Sequence, residues 1–175
     1  MASSQLVLIP FMVDHFPTLM SWFASEREVV QWGGPGVCFP LDDEQLQAIV
    51  DESQTEPATR LCWMARRDRE LIGHAQLALN WRNGNASIGR VAIAPERRGQ
   101  RLARPMLELV LAEAFALDDV ERVELGVYSW NAPAIATYKR LGFQVEGTRR
   151  SSTRVGNERW DSMMMSLLRA EYGPA

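Results

Sequence analysis

The 175-residue sequence has only two cysteines, two histidines and no long apolar run. A membrane-spanning helix needs about 18 or more apolar residues in a row. The start, MASSQLVLIPF, also lacks the basic residues and long apolar segment of a secretion signal. Cys38 and Cys62 have no metal-ligand spacing, so we expect two buried free thiols. These absences predict a cytoplasmic protein with no membrane partner and no bound metal.

A strong charge bias is absent as well. The net charge is -3, with 46% hydrophobic and 23% charged residues, which is ordinary for a globular protein and gives no general affinity for nucleic acid. A chain of this length buries roughly 70% of its unfolded surface, so residues 1–175 are expected to form one domain. Arginines do cluster locally, within residues 90–104 and again within 149–154. This clustering fits one phosphate-bearing ligand better than a polyanion.

The order of strands and helices follows from the apolar periodicity and the turn signals. The predicted elements lie at residues 5–9, 13–24, 41–52, 61–67, 70–81, 86–94, 102–116, 122–128, 131–142, 143–150 and 159–168. Their order, β-α-α-β-β-β-α-β-α-β-β, predicts an α/β (α+β) fold. Its centre is a mixed, mostly antiparallel twisted sheet flanked by helices, and the strands on either side of the long helix form a parallel pair.

The segment VAIAPERRGQRLA, at residues 91–103, leads from a strand through an arginine- and glycine-rich loop into the long helix. The first four N–H groups of a helix have no partner within it, and the helix dipole adds attraction for anions. The loop is therefore suited to hold a phosphate. A tight turn with arginines facing solvent explains the segment equally well. The motifs GK[ST] and GxGxxG are absent, which disfavours a nucleotide hydrolase and a dinucleotide site.

A second informative segment is NAPAIATYKRLGF, at residues 131–143. Asn131 is a suitable N-cap, and Gly142 ends the predicted helix. Tyr138 shares the apolar face of this helix with Ile135 and Leu141. On this segment alone, a tyrosine of the core is the simpler interpretation.

Together the two segments resemble the GNAT superfamily of N-acetyltransferases, whose signature runs from a strand through a [Q/R]xxGx[G/A] loop into a helix, followed by a second helix ending in LGF. The later residues resemble the branch that acetylates spermidine and the N-termini of ribosomal proteins. The resemblance implies acetyl-CoA as co-substrate and direct transfer in a ternary complex. The acceptor would be a primary amine of a polyamine, of another amino compound or of a protein N-terminus, and a homodimer is compatible with it.

The resemblance also implies roles for individual residues. The backbone of Val91, Ala92 and Ile93 would pair with the pantetheine arm, Asn131 would contact the same arm, and Tyr138 would stand beside the sulfur as general acid. The residues expected around the pyrophosphate are Arg98, Gly99, Gln100, Arg101, Leu102, Ala103 and Arg104. Arg101 stands where the family motif has a glycine, so its side chain must point away from the pyrophosphate.

The sequence identifies the general base and the acceptor site less clearly. The strand position where many relatives carry a carboxylate aligns with Ile88, which leaves His74 and Glu70 as candidates. The acceptor would bind near Trp22, Trp32, the GGPG loop and residues 149–156. Nearby acids would attract a cationic amine or simply begin helices: Glu26, Glu28, Asp42, Asp43 and Glu44. Without the strand carboxylate, a non-catalytic acyl-CoA-binding module remains the alternative.

Overall fold

Seven strands form one sheet in the computed structural model, which describes residues 5–173. They are β1 (Leu6–Pro10), β2 (Arg60–Arg67), β3 (Glu70–Asn80), β4 (Asn85–Ile93), β5 (Arg122–Tyr128), β6 (Gln144–Val155) and β7 (Glu158–Leu168). Their order across the sheet is β1-β2-β3-β4-β5-β7-β6. The pair β4–β5 is parallel and the other pairs are antiparallel. The prediction of a mixed, mostly antiparallel sheet is confirmed.

Five α-helices accompany the sheet in the described part of the chain. They are α1 (Phe16–Met20), α2 (Glu26–Gly33), α3 (Asp43–Ser53), α4 (Ala103–Phe115) and α5 (Ala132–Arg140). The helix predicted at residues 13–24 is confined to α1, after a single 3₁₀ turn at Val13–His15, and α2 was not predicted. The Ser25 side chain caps α2 by accepting a hydrogen bond from the Glu28 amide (3.3 Å). A serine followed three residues later by glutamate is a helix-start signal that could have revealed α2.

Helix α4 packs one apolar face against the sheet. The residues of that face are buried: Leu102, Met106, Leu107, Val110, Leu111 and Ala114. Helices α1–α3 cover the opposite face and form a second core with Met64 and Cys62. Cys62 is buried as expected, but Cys38 is exposed. It follows buried Val37 in an extended loop, where neighbouring side chains point to opposite sides.

The parallel pair β4–β5 opens towards the carboxyl ends of its strands. Its ladder runs from Asn85–Arg122 to Ile88–Leu125, whereas β4 continues to Ile93 and β5 to Tyr128. A β-bulge on the other edge of β4 adds to the divergence, because bulges bend and twist the strand that carries them. The result is a gap between two neighbouring strands in the middle of the sheet. Within residues 5–173, no helix has the length and apolar character needed to cross a membrane.

Candidate active site

A cavity of about 800 Å³ occupies the gap between β4 and β5. Its wall includes backbone and side chains of the diverging strands, α2, the GGPG loop and α5. One end reaches the start of α4, and the other end extends over the sheet face that α1–α3 cover. The cavity therefore joins two regions on opposite sides of the sheet, which suits a reaction between two substrates.

The loop before α4 presents backbone amides to this region. None of the amides from Gly99 to Arg104 donates a hydrogen bond to another residue in the described part of the chain. No side chain among residues 5–173 caps the N-terminus of helix α4. Gly99 (φ +77°) and Arg101 (φ +60°) both have left-handed backbone. Consecutive free amides at a helix start, next to left-handed residues, form a concave site for an anion such as a pyrophosphate.

Arg101 adopts the conformation that the family glycine would adopt most easily. For a residue with a Cβ, left-handed backbone costs about 1–2 kcal/mol. Arg101 is exposed. The left-handed backbone of Arg101 is thus kept at a cost in strain.

The predicted site residues separate into two groups. The cavity wall includes Val91, Ala92, Ile93, Arg98, Ala103, Asn131 and Tyr138. The loop and the first turn of α4 beside the cavity hold Gly99, Gln100, Arg101, Leu102 and Arg104. Of these, Leu102 turns its side chain into the core, and Arg104 pairs with Glu108 (2.8 Å). A ligand can therefore reach Leu102 only through its backbone.

Tyr138 and Asn131 come from α5 and its start. The Asn131 side chain caps α5 by accepting from the Ala134 amide (3.3 Å), as predicted. Tyr138 is 8% exposed, lines the cavity and packs edge-on against Phe143, with ring centroids 5.9 Å apart. Its hydroxyl has no hydrogen-bond partner among residues 5–173, and burial raises its pKa to about 12. The phenol is therefore protonated at neutral pH and free to donate to a ligand.

The histidine proposed as general base is not placed for that role. His74 is fully buried against Phe11 and Trp32, and the cavity wall does not include it within the described chain. Burial, followed by repulsion from Arg90, lowers its pKa to about 3. Glu70 lies at the surface and pairs with Arg97 (2.5 Å).

Glu28 is the one carboxylate on the cavity wall among the described residues. One oxygen accepts from the Ala24 amide (2.7 Å), and the other lies 3.7 Å from the Arg98 guanidinium. The other acids expected near the acceptor are exposed and away from the wall: Glu26, Asp42, Asp43 and Glu44. Asp42 caps α3 through the Gln45 amide (2.9 Å), so the helix-start interpretation applies to it.

A buried polar network, missed at the level of sequence, lies under the α2 side of the cavity. The guanidinium groups of Arg60 and Arg90 both donate to the Gln76 side-chain oxygen, at 3.3 and 3.2 Å. The Gln76 amide nitrogen lies 2.9 Å from His74 Nε2. Because the oxygen faces two cations, the nitrogen must donate to His74, which is then neutral with its proton on Nδ1. The sequence signal that could have indicated this network is a pair of polar residues at alternate positions of one strand, His74 and Gln76.

Trp32 holds the bulge that carries Arg90. Its indole N–H donates to the Arg90 carbonyl (2.8 Å), and the Arg90 guanidinium lies 6.0 Å from the Trp32 ring centroid. Arg90 itself has a left-handed backbone (φ +50°). Trp32 therefore both lines the cavity and anchors β4.

Comparison with known proteins identifies the class to which this fold and site belong. The class is that of the N-acetyltransferases. Residues 17–143 match the acetyltransferase (GNAT) family, and the chain belongs to that family. The resemblance inferred from the loop and the LGF helix is confirmed.

Relatives within the family act on different amines. A spermidine N(1)-acetyltransferase of Vibrio cholerae is 24% identical over 130 residues, 74% of this chain and 75% of that protein. An L-amino acid N-acetyltransferase of Escherichia coli is 27% identical over 106 residues, 58% of this chain and 64% of that protein. The crystal structure of the Vibrio cholerae spermidine N-acetyltransferase with CoA and spermine superposes with a TM-score of 0.83 at 20% identity, covering 97% of this chain and 98% of that one. This likeness confirms the fold.

Proposed function

We propose that the protein transfers the acetyl group of acetyl-CoA directly to a primary amine. The observation that carries the proposal is the row of free amides from Gly99 to Arg104, at the mouth of the gap between β4 and β5. These amides would hold the pyrophosphate. The unpaired edge of β4 at Val91–Ile93 would hydrogen-bond the pantetheine arm as an added strand. The thioester would then lie inside the cavity.

The reaction forms a C–N bond and breaks the C–S bond of the thioester. An alkyl ammonium has a pKa near 10.4, so the amine must lose a proton before it attacks. Glu28 is the carboxylate on the described wall that can accept this proton, directly or through water. The thiolate that leaves takes up a proton at the end of the reaction. No acyl-enzyme is required.

Tyr138 is proposed to stabilise the departing sulfur. Its pKa of about 12 exceeds the value near 8.5 of an alkyl thiol, so complete proton transfer to the thiolate is uphill by roughly 5 kcal/mol. A hydrogen bond from the phenol to the developing thiolate carries no such penalty. We therefore assign Tyr138 the role of hydrogen-bond donor, a weaker form of the general-acid role that the family resemblance implies.

The non-catalytic acyl-CoA-binding module remains the second candidate, because Ile88 is apolar and buried where many relatives carry an acid. Both candidates require acetyl-CoA binding, so thermal unfolding with and without acetyl-CoA is the first test. At about 100 times its Kd, a ligand specific for the folded state adds about 2.7 kcal/mol to the free energy of unfolding. An unchanged melting temperature at saturating acetyl-CoA and CoA would exclude both. A homodimer stays a prediction.

A further inference from the structure

The cavity wall is rich in arginine. Its charged residues in the described chain are Glu28, Arg60, Arg90, Arg98 and Arg149. Glu28 lies close to Arg98, at 3.7 Å, so their charges offset one another. The other three arginines face the cavity without a carboxylate on the described wall. A pocket of this kind repels a polyamine, whose charges are all positive.

Arg149 is exposed to solvent, whereas Arg60 and Arg90 are half-buried, and Arg90 is the less compensated of these two. Arg60 has a carboxylate partner behind the wall, since its guanidinium lies 2.7 Å from Glu52. Arg90 forms no ion pair within residues 5–173, and its contact with Gln76 is to a neutral oxygen. Burial and then the charge of Arg60 lower its pKa, yet an arginine keeps its proton at neutral pH. One positive charge therefore remains without a counterion on a half-buried wall.

The two guanidinium groups are held in place before a ligand arrives. Gln76 is fully buried and fixes both through its side-chain oxygen, while its nitrogen is held by His74. Trp32 fixes the backbone of Arg90 from the other side. His74 is neutral, so it adds no charge that would repel or replace a ligand. Rigid donors of this kind lose little entropy when they bind an anion.

We propose that Arg60 and Arg90 form a carboxylate subsite, and that the acceptor is a zwitterion with an amine at one end and a carboxylate at the other. This proposal rests on the proposed acetyl transfer and names its substrate class. The single uncompensated charge of Arg90 matches a carboxylate better than a doubly charged phosphate. Glu28, on the same wall, remains the carboxylate that can accept a proton from the ammonium. Of the acids that were expected to attract a cationic amine or to begin helices, this assignment keeps only Glu28.

The test compares amines that carry a carboxylate with matched amines that carry a neutral amide in its place. L-Alanine, β-alanine and 4-aminobutanoate are each assayed against their primary amides, with putrescine and spermidine in parallel. CoA thiol release is measured at saturating acetyl-CoA. For at least one pair, we expect kcat/KM to be at least about tenfold higher for the carboxylate, in line with charged hydrogen bonds. Equal rates for every pair, faster turnover of the polyamines, or turnover of none of these amines would overturn the proposal.

Variants of Arg90 then test whether this residue causes the preference for a carboxylate. Arg90→Gln should raise KM for the preferred carboxylate about tenfold or more and leave KM for its amide within about twofold, while Arg90→Lys should fall between. Arg82→Gln, an exposed arginine on the β3–β4 turn, is the matched control and should leave both values unchanged. An equal effect of Arg90→Gln on acid and amide would refute the subsite. If that variant fails to fold, the wild-type comparison decides alone.

Binding of acetyl-CoA, measured by calorimetry on each protein, separates the two levels of inference. If the wild-type protein does not bind acetyl-CoA, the result counts against the proposed function. Intact acetyl-CoA binding without carboxylate preference would count against the subsite only.

Discussion

Replacing Tyr138 with phenylalanine removes one oxygen from the cavity wall and keeps the ring. The ring contact with Phe143 survives, and the hydroxyl has no hydrogen-bond partner in the described chain. The free energy of unfolding should therefore change by less than about 1 kcal/mol, the value of a typical hydrogen bond. A large stability loss would indicate that the hydroxyl has a structural role.

The expected effect on catalysis is much larger. A hydrogen bond to a charged group contributes about 1.5–3 kcal/mol, so losing it from the transition state should lower kcat about 10- to 150-fold. Acetyl-CoA affinity should remain unchanged, because the neutral thioester sulfur is a weak acceptor. With a pKa of about 12, the phenol stays protonated from pH 6 to 9.5, so the ratio of wild-type to variant kcat should be nearly constant over that range.

The assay is thiol release at saturating acetyl-CoA and acceptor, at half-unit steps from pH 6 to 9.5. Tyr172→Phe is the control, since Tyr172 stacks on Phe115 (4.5 Å between centroids) and does not line the cavity in the described structure. A kcat for Tyr138→Phe within about twofold of the wild type would refute the assigned role. The core-tyrosine interpretation would then stand.

Three further outcomes follow from the geometry. Gly99→Pro should weaken acetyl-CoA binding in calorimetry more than Arg97→Ala, because proline cannot adopt φ +77°; equal affinities would contradict this. The pKa of His74 is about 3 in the folded protein and 6.5 in the unfolded chain. Lowering the pH from 7.5 to 5 should therefore reduce the free energy of unfolding of the wild type by about 2 kcal/mol, and His74→Phe should not show this loss. Parallel pH profiles of the two proteins in urea titrations would contradict this. Trp32→Phe should cost about 1 kcal/mol and lower kcat/KM, by loosening Arg90, and an unchanged kcat/KM would contradict it.

The parts of the site that the sequence predicted are local in the chain. Residues 91–104 form strand, loop and helix start in one continuous segment, and the apolar face of α4 repeats with helical period. Asn131 and its helix follow from capping rules. Each of these features depends on neighbours within a few residues, so a single sequence carries the information.

The arginine subsite depends instead on strand register. Arg60, Gln76 and Arg90 come from three strands, and their convergence requires the pairing of Cys62 with Gln76 and a bulge at Arg90. A shift of one residue would turn these side chains to the other face of the sheet. The sequence shows neither the register nor the left-handed backbone of Arg90 and Arg101. The interpretation of His74 as a general base failed for the same reason. Its burial depends on Phe11 and Trp32, which come from distant segments of the chain.

The central claim, acetyl transfer to an amine in the gap between β4 and β5, is tested most directly by measuring both products of one reaction. The protein is incubated with acetyl-CoA and the preferred amine, CoA thiol is titrated, and the N-acetylated product is quantified by mass spectrometry. We predict one N-acetyl product for each CoA released, with both signals reduced together in Tyr138→Phe. Acetyl-CoA that binds the folded protein but yields neither product with any primary amine would contradict the claim and identify a non-catalytic binding module.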